Sequence, residues 1–239
     1  MHHWTPYCGQ APLPGEWATH WNFAPELMIG LLLLSGAAYL YRNRLRMLPA
    51  VGAIALLAFI FASPFCALGS ALFTVRIVHD ILLAVLLAPL VVAALRLDQK
   101  EIPGSLMVWT IVHAVTFWLW HAPSLYSFAM SSDLAFWAMQ VSITGTAAIW
   151  WARIIRAPAP SATTALLATM VAMGALGALL TFSGTALYVP HWMTTQAWGM
   201  SPLEDQQIAG IIMWAPASLI YLLAAMVILY RSLDVRQMA

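Results

Sequence analysis

The sequence predicts an all-α membrane protein built as a seven-transmembrane helix bundle. Of its 239 residues, 62% are hydrophobic and only 8% are charged, far below the roughly 25% charged residues of soluble domains. Its apolar runs extend for roughly 20 residues, the length needed to cross about 30 Å of hydrocarbon. These runs are continuous rather than alternating, which favours helices over a barrel. Without repeats or long linkers, we expect a single integral membrane domain over residues 1–239.

The first 24 residues are expected to form an external N-terminal segment. They are polar, aromatic and rich in proline, and they lack the basic start and apolar core of a cleavable signal peptide. Seven apolar runs follow and define the predicted spans. These are Pro25–Tyr41, Pro49–Leu68, Val75–Leu95, Pro103–His121, Leu134–Ile155, Ala162–Thr181 and Gln207–Tyr230.

Local signals place the starts of two helices. Ser132 followed by Asp133 is typical of a helix N-terminus and predicts the start of the fifth span. Ser201 and Glu204 have the spacing of a capping box, with Pro202 at the first helical position. The seventh helix should therefore begin a turn or two outside the membrane.

Prolines and small residues indicate how the spans bend and pack. Pro89 and Pro216 fall inside the third and seventh spans and should kink them. Gly174 and Ala178 in the sixth span form a small-xxx-small pair, which permits close approach of a neighbouring helix.

The basic residues predict the orientation. Nine of the ten Lys and Arg residues fall in four regions that seven spans would place on one side, and this side is cytoplasmic by the positive-inside rule. Arg76 is the exception. The N-terminus is then outside, the C-terminus is cytoplasmic, and a bacterial inner membrane is the expected location. The nine are Arg42, Arg44, Arg46, Arg96, Lys100, Arg153, Arg156, Arg231 and Arg236.

Histidines gather on the predicted outer side. His79, His121 and His191 lie there, whereas His113 falls near the middle of the fourth span. Imidazole binds copper as well as zinc, and sulfur ligands select Cu(I). The same side offers Cys8, Cys66 and Met193, so a metal site with imidazole or sulfur ligands, copper included, is one interpretation of this pattern.

Each of these residues also has a purely structural interpretation. His121 could be an interfacial anchor, and His191 a surface side chain. His113 could be a neutral imidazole that is hydrogen-bonded to a neighbouring helix, which we favour over a redox or proton-relay role. Cys8 and Cys66 could form a disulfide in an oxidising compartment rather than bind metal.

Arg76, His79 and Asp80 should share one helix face because of their spacing. Arg76 and Asp80 could form a structural ion pair, and Asp80 could hold the His79 imidazole in one tautomer. No catalytic or nucleotide-binding motif is present, and the acidic residues lie near the ends of spans. We therefore expect a metal-handling or assembly protein, not an enzyme or transporter, with no nucleic-acid partner.

Five strings carry a resemblance to a known family. They are YCGQAPLPGEW, WNFAPEL, VHDILLAVLLAPL, WLWHAPSLY and PLEDQQIAGIIMWAPASLIYL, spread over nearly the whole chain. In them the chain resembles the polytopic cytochrome c oxidase assembly factor CtaG. The DQQxAGxIMWxP pattern in the last string is the most specific of these matches, and WHxPxLY is the next.

The resemblance implies seven spans, a role in biogenesis of haem–copper oxidases, and an oxidase subunit or periplasmic copper donor as partner. The carried-over residues are His79, His121, Asp205, Gln206 and Gln207. Many relatives have a second histidine close to the position of His79, where this chain has Asp80. A two-histidine site within that helix is thus absent, and another segment must complete any metal site.

The resulting hypothesis is transient copper binding by His79 and His121, with His191 or a sulfur atom as third ligand, and copper delivery to the oxidase. Asp205 could support a ligand imidazole from the start of the seventh helix, with Gln206 and His113 nearby in supporting roles. Two alternatives stay open. One is a metal-free scaffold for nascent oxidase subunits, and the other is a haem- or quinone-binding redox membrane protein.

Overall fold

The computed structural model describes residues 6–237, and their side chains as far as residue 233. Over this range the chain forms ten α-helices and no strand, which confirms the all-helical prediction. The helices are α1 (Pro25–Leu40), α2 (Met47–Ala62), α3 (Pro64–Ala71), α4 (Phe73–Leu82), α5 (Ala88–Leu95), α6 (Leu106–Trp120), α7 (Pro123–Ala129), α8 (Asp133–Arg156), α9 (Ala159–Phe182) and α10 (Pro202–Gln237).

The prediction of seven spans is corrected by the helix lengths. In the described residues, three helices are long and apolar enough to cross a membrane: Phe73–Leu95, Ala159–Phe182 and Pro202–Leu233. A fourth span results if α2 and α3 are counted together, although they meet at a bend of 49°. The apolar helices α1 and α6 have only 16 and 15 residues. Helix α8 is long enough, but Gln140 and several hydroxyl side chains interrupt its apolar character.

The span Phe73–Leu95 changes its winding in the middle. Residues Leu83–Leu87 form a π-helical turn between α4 and α5. Pro89 lies two residues after the end of this turn and has no N–H to donate to the turn that precedes it, which disturbs regular α-helical winding. The predicted proline effect therefore appears as a π turn that separates α4, with its polar residues, from the apolar α5.

The closest helix contact joins α9 and α10 through glycine. A Cβ on Gly177 would lie 2.8 Å from the Gly210 carbonyl oxygen, and a Cβ on Gly210 would lie 2.6 Å from the Gly177 carbonyl oxygen. The predicted small residue Gly174 faces the same helix, with Trp214 Cδ1 3.3 Å from its Cβ position. The tightest approach is thus about one turn further along α9 than the sequence pattern indicated.

Basic residues meet at one end of the bundle, here called the basic end. Arg46 donates from its backbone N–H to the Ala94 carbonyl at 3.1 Å, and its guanidinium lies 3.5 Å from Asp98. Arg153 donates to the Ile102 carbonyl at 3.1 Å. The loops between α1 and α2, between α5 and α6, and the end of α8 therefore lie together, as the charge pattern predicted.

The opposite end, here called the disulfide end, holds the N-terminal segment. Cys8 and Cys66 form a disulfide with a Cα–Cα distance of 5.2 Å. The Asn22 N–H donates to the Ala62 carbonyl at 2.9 Å, and Trp198 Nε1 donates to the Pro12 carbonyl at 3.2 Å. The segment before α1 is thus tied to both α2–α3 and the connection before α10.

The capping predictions are confirmed. The Ser201 N–H donates to Glu204 Oε2 at 2.7 Å, and the Glu204 N–H donates to Ser201 Oγ at 3.2 Å. Ser132 Oγ accepts from the Ala135 N–H at 3.4 Å at the start of α8. These caps fix where α8 and α10 begin, and α10 in turn positions the candidate site.

Candidate functional site: a buried polar cluster at the disulfide end

The start of α4 is fixed by a residue from α10. Asp205 accepts hydrogen bonds from the Phe73 N–H at 2.7 Å and the Thr74 N–H at 3.1 Å. Its carbonyl oxygen also accepts from Thr74 Oγ1 at 2.9 Å. Helix N-termini expose such unpaired N–H groups, so Asp205 acts as a cap supplied from another helix. Its carboxylate is directed at α4, and in the described part of the chain no histidine nitrogen lies within 4.0 Å of it. The support of an imidazole that the sequence predicted for Asp205 is therefore not seen in this structure.

The first two turns of α4 carry three polar side chains into the protein interior. They meet the end of α6, the helix α7 and the connection between α9 and α10. We call the resulting group the buried polar cluster. Its members, all at most 2% exposed, are Arg76, His79, Asp80, His121, Tyr126 and His191.

Asp80 lies between the two histidines that the sequence singled out. Its Oδ1 is 3.5 Å from His79 Nδ1, and its Oδ2 is 3.7 Å from His121 Nε2. The sequence assigned Asp80 a supporting role behind His79. The structure instead directs one oxygen of this carboxylate towards each imidazole. Asp80 could therefore be a metal ligand together with both histidines.

The hydrogen bond of His121 sets the chemistry of its other nitrogen. His121 Nδ1 lies 2.7 Å from the Phe117 carbonyl oxygen. A carbonyl only accepts, so Nδ1 carries the proton. In the neutral ring Nε2 is then a bare lone pair that faces the Asp80 carboxylate. A proton or a metal ion placed between two such electron-rich atoms would satisfy both of them.

Several polar atoms of the cluster have no hydrogen-bond partner among the described residues. They include both oxygens of Asp80, both ring nitrogens of His79, His121 Nε2, and Nε and Nη1 of Arg76. Buried polar atoms are normally paired, and each unpaired one costs about 1–3 kcal/mol. The concentration of such atoms in one place makes the buried polar cluster the candidate functional site.

Arg76 does not form the ion pair with Asp80 that its spacing suggested. Within the described part of the chain, no carboxylate lies within 4.0 Å of its guanidinium. Nη2 instead contacts Cys8 Sγ at 3.7 Å, and the guanidinium carbon lies 5.1 Å from the Phe136 ring centroid. Arg76 is completely buried, so it supplies a fixed positive charge beside the disulfide.

His191 is buried in the cluster rather than on the surface. Its Nε2 lies 2.7 Å from the Tyr126 hydroxyl. Burial, with a smaller contribution from the Arg76 charge, lowers the pKa of His191 to about 3. Because Nε2 is paired with tyrosine, only Nδ1, which has no hydrogen-bond partner among the described residues, remains for the predicted role of His191 as third ligand.

The lowered pKa of His191 predicts a pH dependence of stability. Between about pH 3 and its ordinary pKa of 6.5, the unfolded chain binds a proton at His191 that the folded chain does not bind. The free energy of unfolding should therefore fall as the pH drops below about 6.5. Thermal melting of wild type and His191→Gln at pH 7.5 and pH 5 measures this. A wild-type slope that His191→Gln leaves unchanged would contradict it.

The sulfur ligands expected from the sequence are not part of the cluster. Cys8 and Cys66 are joined in the disulfide, so neither presents a thiolate. The Met193 side chain is 85% exposed and does not point into the buried site. The remaining donors are imidazole nitrogen and carboxylate oxygen, a set that suits Cu(II) or zinc better than Cu(I).

Loss of the disulfide should destabilise the protein without removing these donors. The bond closes a loop with a sequence separation of 58 residues, which corresponds to about 4 kcal/mol in the chain-entropy model. A Cys8→Ser/Cys66→Ser variant is therefore expected to melt at a clearly lower temperature in detergent. An unchanged melting temperature would contradict the proposed tie between the N-terminal segment and α3.

Gln206 and His113 have structural roles. Gln206 Oε1 accepts from the Leu187 N–H at 2.6 Å, and its Nε2 donates to the carbonyls of Leu180 and Thr185. His113 Nδ1 lies 3.5 Å from Thr146 Oγ1 on α8, which agrees with the structural interpretation of a histidine bonded to a neighbouring helix. Neither residue belongs to the cluster.

Two tyrosines were missed by the sequence analysis. Tyr126 pairs with His191, and the Tyr188 hydroxyl donates to the His121 carbonyl at 2.7 Å. Tyr126 ends the WHAPSLY string that also contains His121, so the spacing within that string was an available signal. No signal marked Tyr188, which lies in an irregular connection.

The donor spacing is close to that of ligands on one ion. With metal–nitrogen bonds of about 2.1 Å, two ligands of a tetrahedral ion lie about 3.4 Å apart. The observed separations are 3.5 Å and 3.7 Å. Across the residues that the structure describes, however, no group of three or more His, Cys, Asp or Glu side chains has the arrangement of a metal site. Closing all three donors on one ion would require side-chain rotation.

Comparison with known proteins gives a family assignment. The family model described as "Cytochrome c oxidase caa3 assembly factor (Caa3_CtaG)" matches residues 104–234. The match covers α6 to α10 and includes His121, Tyr126, His191 and Asp205. No curated protein and no solved structure matches the chain. Because more than half of its length fits the family model, the chain belongs to the cytochrome c oxidase caa3 assembly factor family.

Proposed function

We propose that this protein binds copper in the buried polar cluster and passes it to a haem–copper oxidase during assembly of that enzyme. The observation that carries the proposal is the His121 Nε2 lone pair facing Asp80 Oδ2 at 3.7 Å, with neither atom hydrogen-bonded within the described chain. His79 is the third donor, next to the other Asp80 oxygen. The family supports the role in oxidase assembly, and the imidazole and carboxylate donors are compatible with Cu(II) as the cargo.

The proposed orientation places the disulfide end in the periplasm of a bacterial inner membrane. Disulfides form and persist in oxidising compartments, which supports this side for Cys8 and Cys66. The basic end would then face the cytoplasm by the positive-inside rule. Copper would enter and leave the cluster from the periplasmic side, where the oxidase subunit or a copper donor could reach it.

Access to the cluster requires the connection between α9 and α10 to move. This connection is held by the Tyr188 hydroxyl on the His121 carbonyl, by His191 on Tyr126, and by Thr194 Oγ1, which donates to the Ala71 carbonyl at 2.6 Å. Opening this cover breaks these hydrogen bonds and also the stacking of the Tyr188 ring on Phe73, whose centroids lie 3.8 Å apart. Tyr188→Phe removes one of the hydrogen bonds and keeps the ring. Tyr188→Phe should therefore speed both copper uptake and release.

The proposal is tested by copper titration of detergent-purified protein against a competing chelator, with elemental analysis of the product. Wild type should bind one copper ion per chain. Asp80→Asn and His121→Asn should weaken binding roughly 100-fold or more, because even partners that only orient a ligand change metal affinity by 10–100-fold. His113→Gln is the matched control, a buried histidine on α6 outside the cluster. Full binding by both cluster variants would refute the proposal.

A metal-free scaffold is a second candidate, and the same contact favours it. A proton on His121 Nε2 would also satisfy Asp80 and would make the cluster a buried ion pair. In that case wild type binds no copper under tight competition. Asp80→Asn would then lower the melting temperature without any effect of added metal.

A further inference from the structure

An apolar groove opens at the basic end, far from the buried polar cluster. It lies between α1 and α5, with α2 as its floor, and has a volume of about 660 Å³. Small side chains shape it, since Ala38, Ala50, Ala53 and Ala94 line the walls. A groove of this size and character takes an elongated apolar ligand.

The rim of the groove carries positive charge. Arg44, Arg96 and Lys100 line it at the basic end. No carboxylate of the described residues lies within 4.0 Å of any of these three cations, whereas the neighbouring Arg46, which does not line the groove, is paired with Asp98. Three cations without such partners at the mouth of an apolar groove match an anionic head group joined to a hydrocarbon tail.

The backbone at Arg96 supports a role for its side chain. Arg96 ends α5 in the left-handed conformation with φ of 54°, and within residues 6–237 it is the one non-glycine residue with positive φ. Glycine adopts this conformation far more readily than any residue with a Cβ. The chain thus holds a guanidinium at the rim in a position where the fold alone would favour glycine.

We propose that this groove binds one anionic phospholipid, with an acyl chain along the alanine-lined walls and the phosphate on Arg44, Arg96 and Lys100. A soluble anion would leave the apolar walls uncovered, and a zwitterionic lipid would add the positive charge of its own head group to the three cations. The site is independent of the copper proposal. It would fix the packing of α1 against α2 and α5 in the membrane.

The test is lipid binding by full-length protein in detergent. Thermal melting and native mass spectrometry are measured with phosphatidylglycerol and with phosphatidylcholine of identical acyl chains. Phosphatidylglycerol should raise the melting temperature and remain bound, and phosphatidylcholine should do neither. Each removed cation should weaken phosphatidylglycerol binding about fivefold, since one basic residue near an anionic lipid surface contributes about that factor.

The variants separate the site from general charge effects. Arg96→Gly should keep or raise the stability of lipid-free protein while it weakens phosphatidylglycerol binding. Arg42→Gln is the control, because Arg42 lies on the same loop as Arg44 but bonds the Tyr39 carbonyl and does not line the groove. Ala37→Trp should fill the groove and remove binding with all cations in place. Equal stabilisation by phosphatidylcholine, or equal losses in Arg42→Gln and Arg96→Gly, would overturn the proposal.

Discussion

Replacing Asp205 with alanine is expected to lower the free energy of unfolding by about 3 kcal/mol, since hydrogen bonds to a charged group contribute about 1.5–3 kcal/mol and lost partners leave buried groups unpaired. The change leaves the Phe73 and Thr74 N–H groups without their acceptors at the buried start of α4. Asp205→Asn keeps one acceptor oxygen and should lose roughly half as much. Melting of purified protein in detergent measures both variants.

The Asp205 variants should also weaken copper binding, although Asp205 touches no donor atom. Arg76, His79 and Asp80 all lie on the first two turns of α4, so fraying of that start misplaces the donors. Glu204→Gln is the control, because Glu204 caps α10 itself at an exposed position. If Asp205→Ala melts like wild type, the cap assigned to it is incorrect.

Replacing Gly210 with valine is expected to destabilise the contact between α9 and α10 by about 3 kcal/mol or more, as overpacking commonly costs 1–3 kcal/mol and here backbone atoms of α9 block the added side chain. The Cβ position of Gly210 already lies 2.6 Å from the Gly177 carbonyl oxygen and 2.7 Å from the Thr181 nitrogen. Both are backbone atoms, so relief requires the helices to separate. Reduced yield and a lower melting temperature are the readouts.

Gly145→Ala is the matched control for this prediction. Gly145 is also inside a long helix, but its Cβ position has no neighbouring atom within 4 Å. Alanine should be tolerated there and should stabilise α8 slightly through helix propensity. If Gly210→Val behaves like Gly145→Ala, the close approach of the two helices is not present in solution.

Composition and charge were sufficient to predict the helical class and the two ends of the bundle. Apolar runs and basic loops are local properties, and Arg46 and Arg153 do meet neighbouring segments at one end, as expected. The number of membrane spans could not be predicted correctly from the sequence. Apolar run length does not reveal where Ser63 bends the chain between α2 and α3, or that α1 and α6 stop after 16 and 15 residues.

The candidate site was predicted in part. His79 and His121 were identified from their positions, and the structure brings both beside Asp80. Helix spacing placed Arg76 and Asp80 on one face, but it could not show that Asp80 faces His121 from another helix. The pairing of Cys8 with Cys66 and of Tyr126 with His191 depends on tertiary contacts between distant segments, which no local pattern records.

X-ray absorption at the copper edge of loaded, detergent-purified protein tests the central claim most directly. The account predicts nitrogen and oxygen scatterers at about 2.0 Å and imidazole features that diminish in His121→Asn. Sulfur scatterers at about 2.3 Å would contradict it, since they would place copper on cysteine or methionine. An unchanged spectrum in His121→Asn would likewise show that copper binds outside the buried polar cluster.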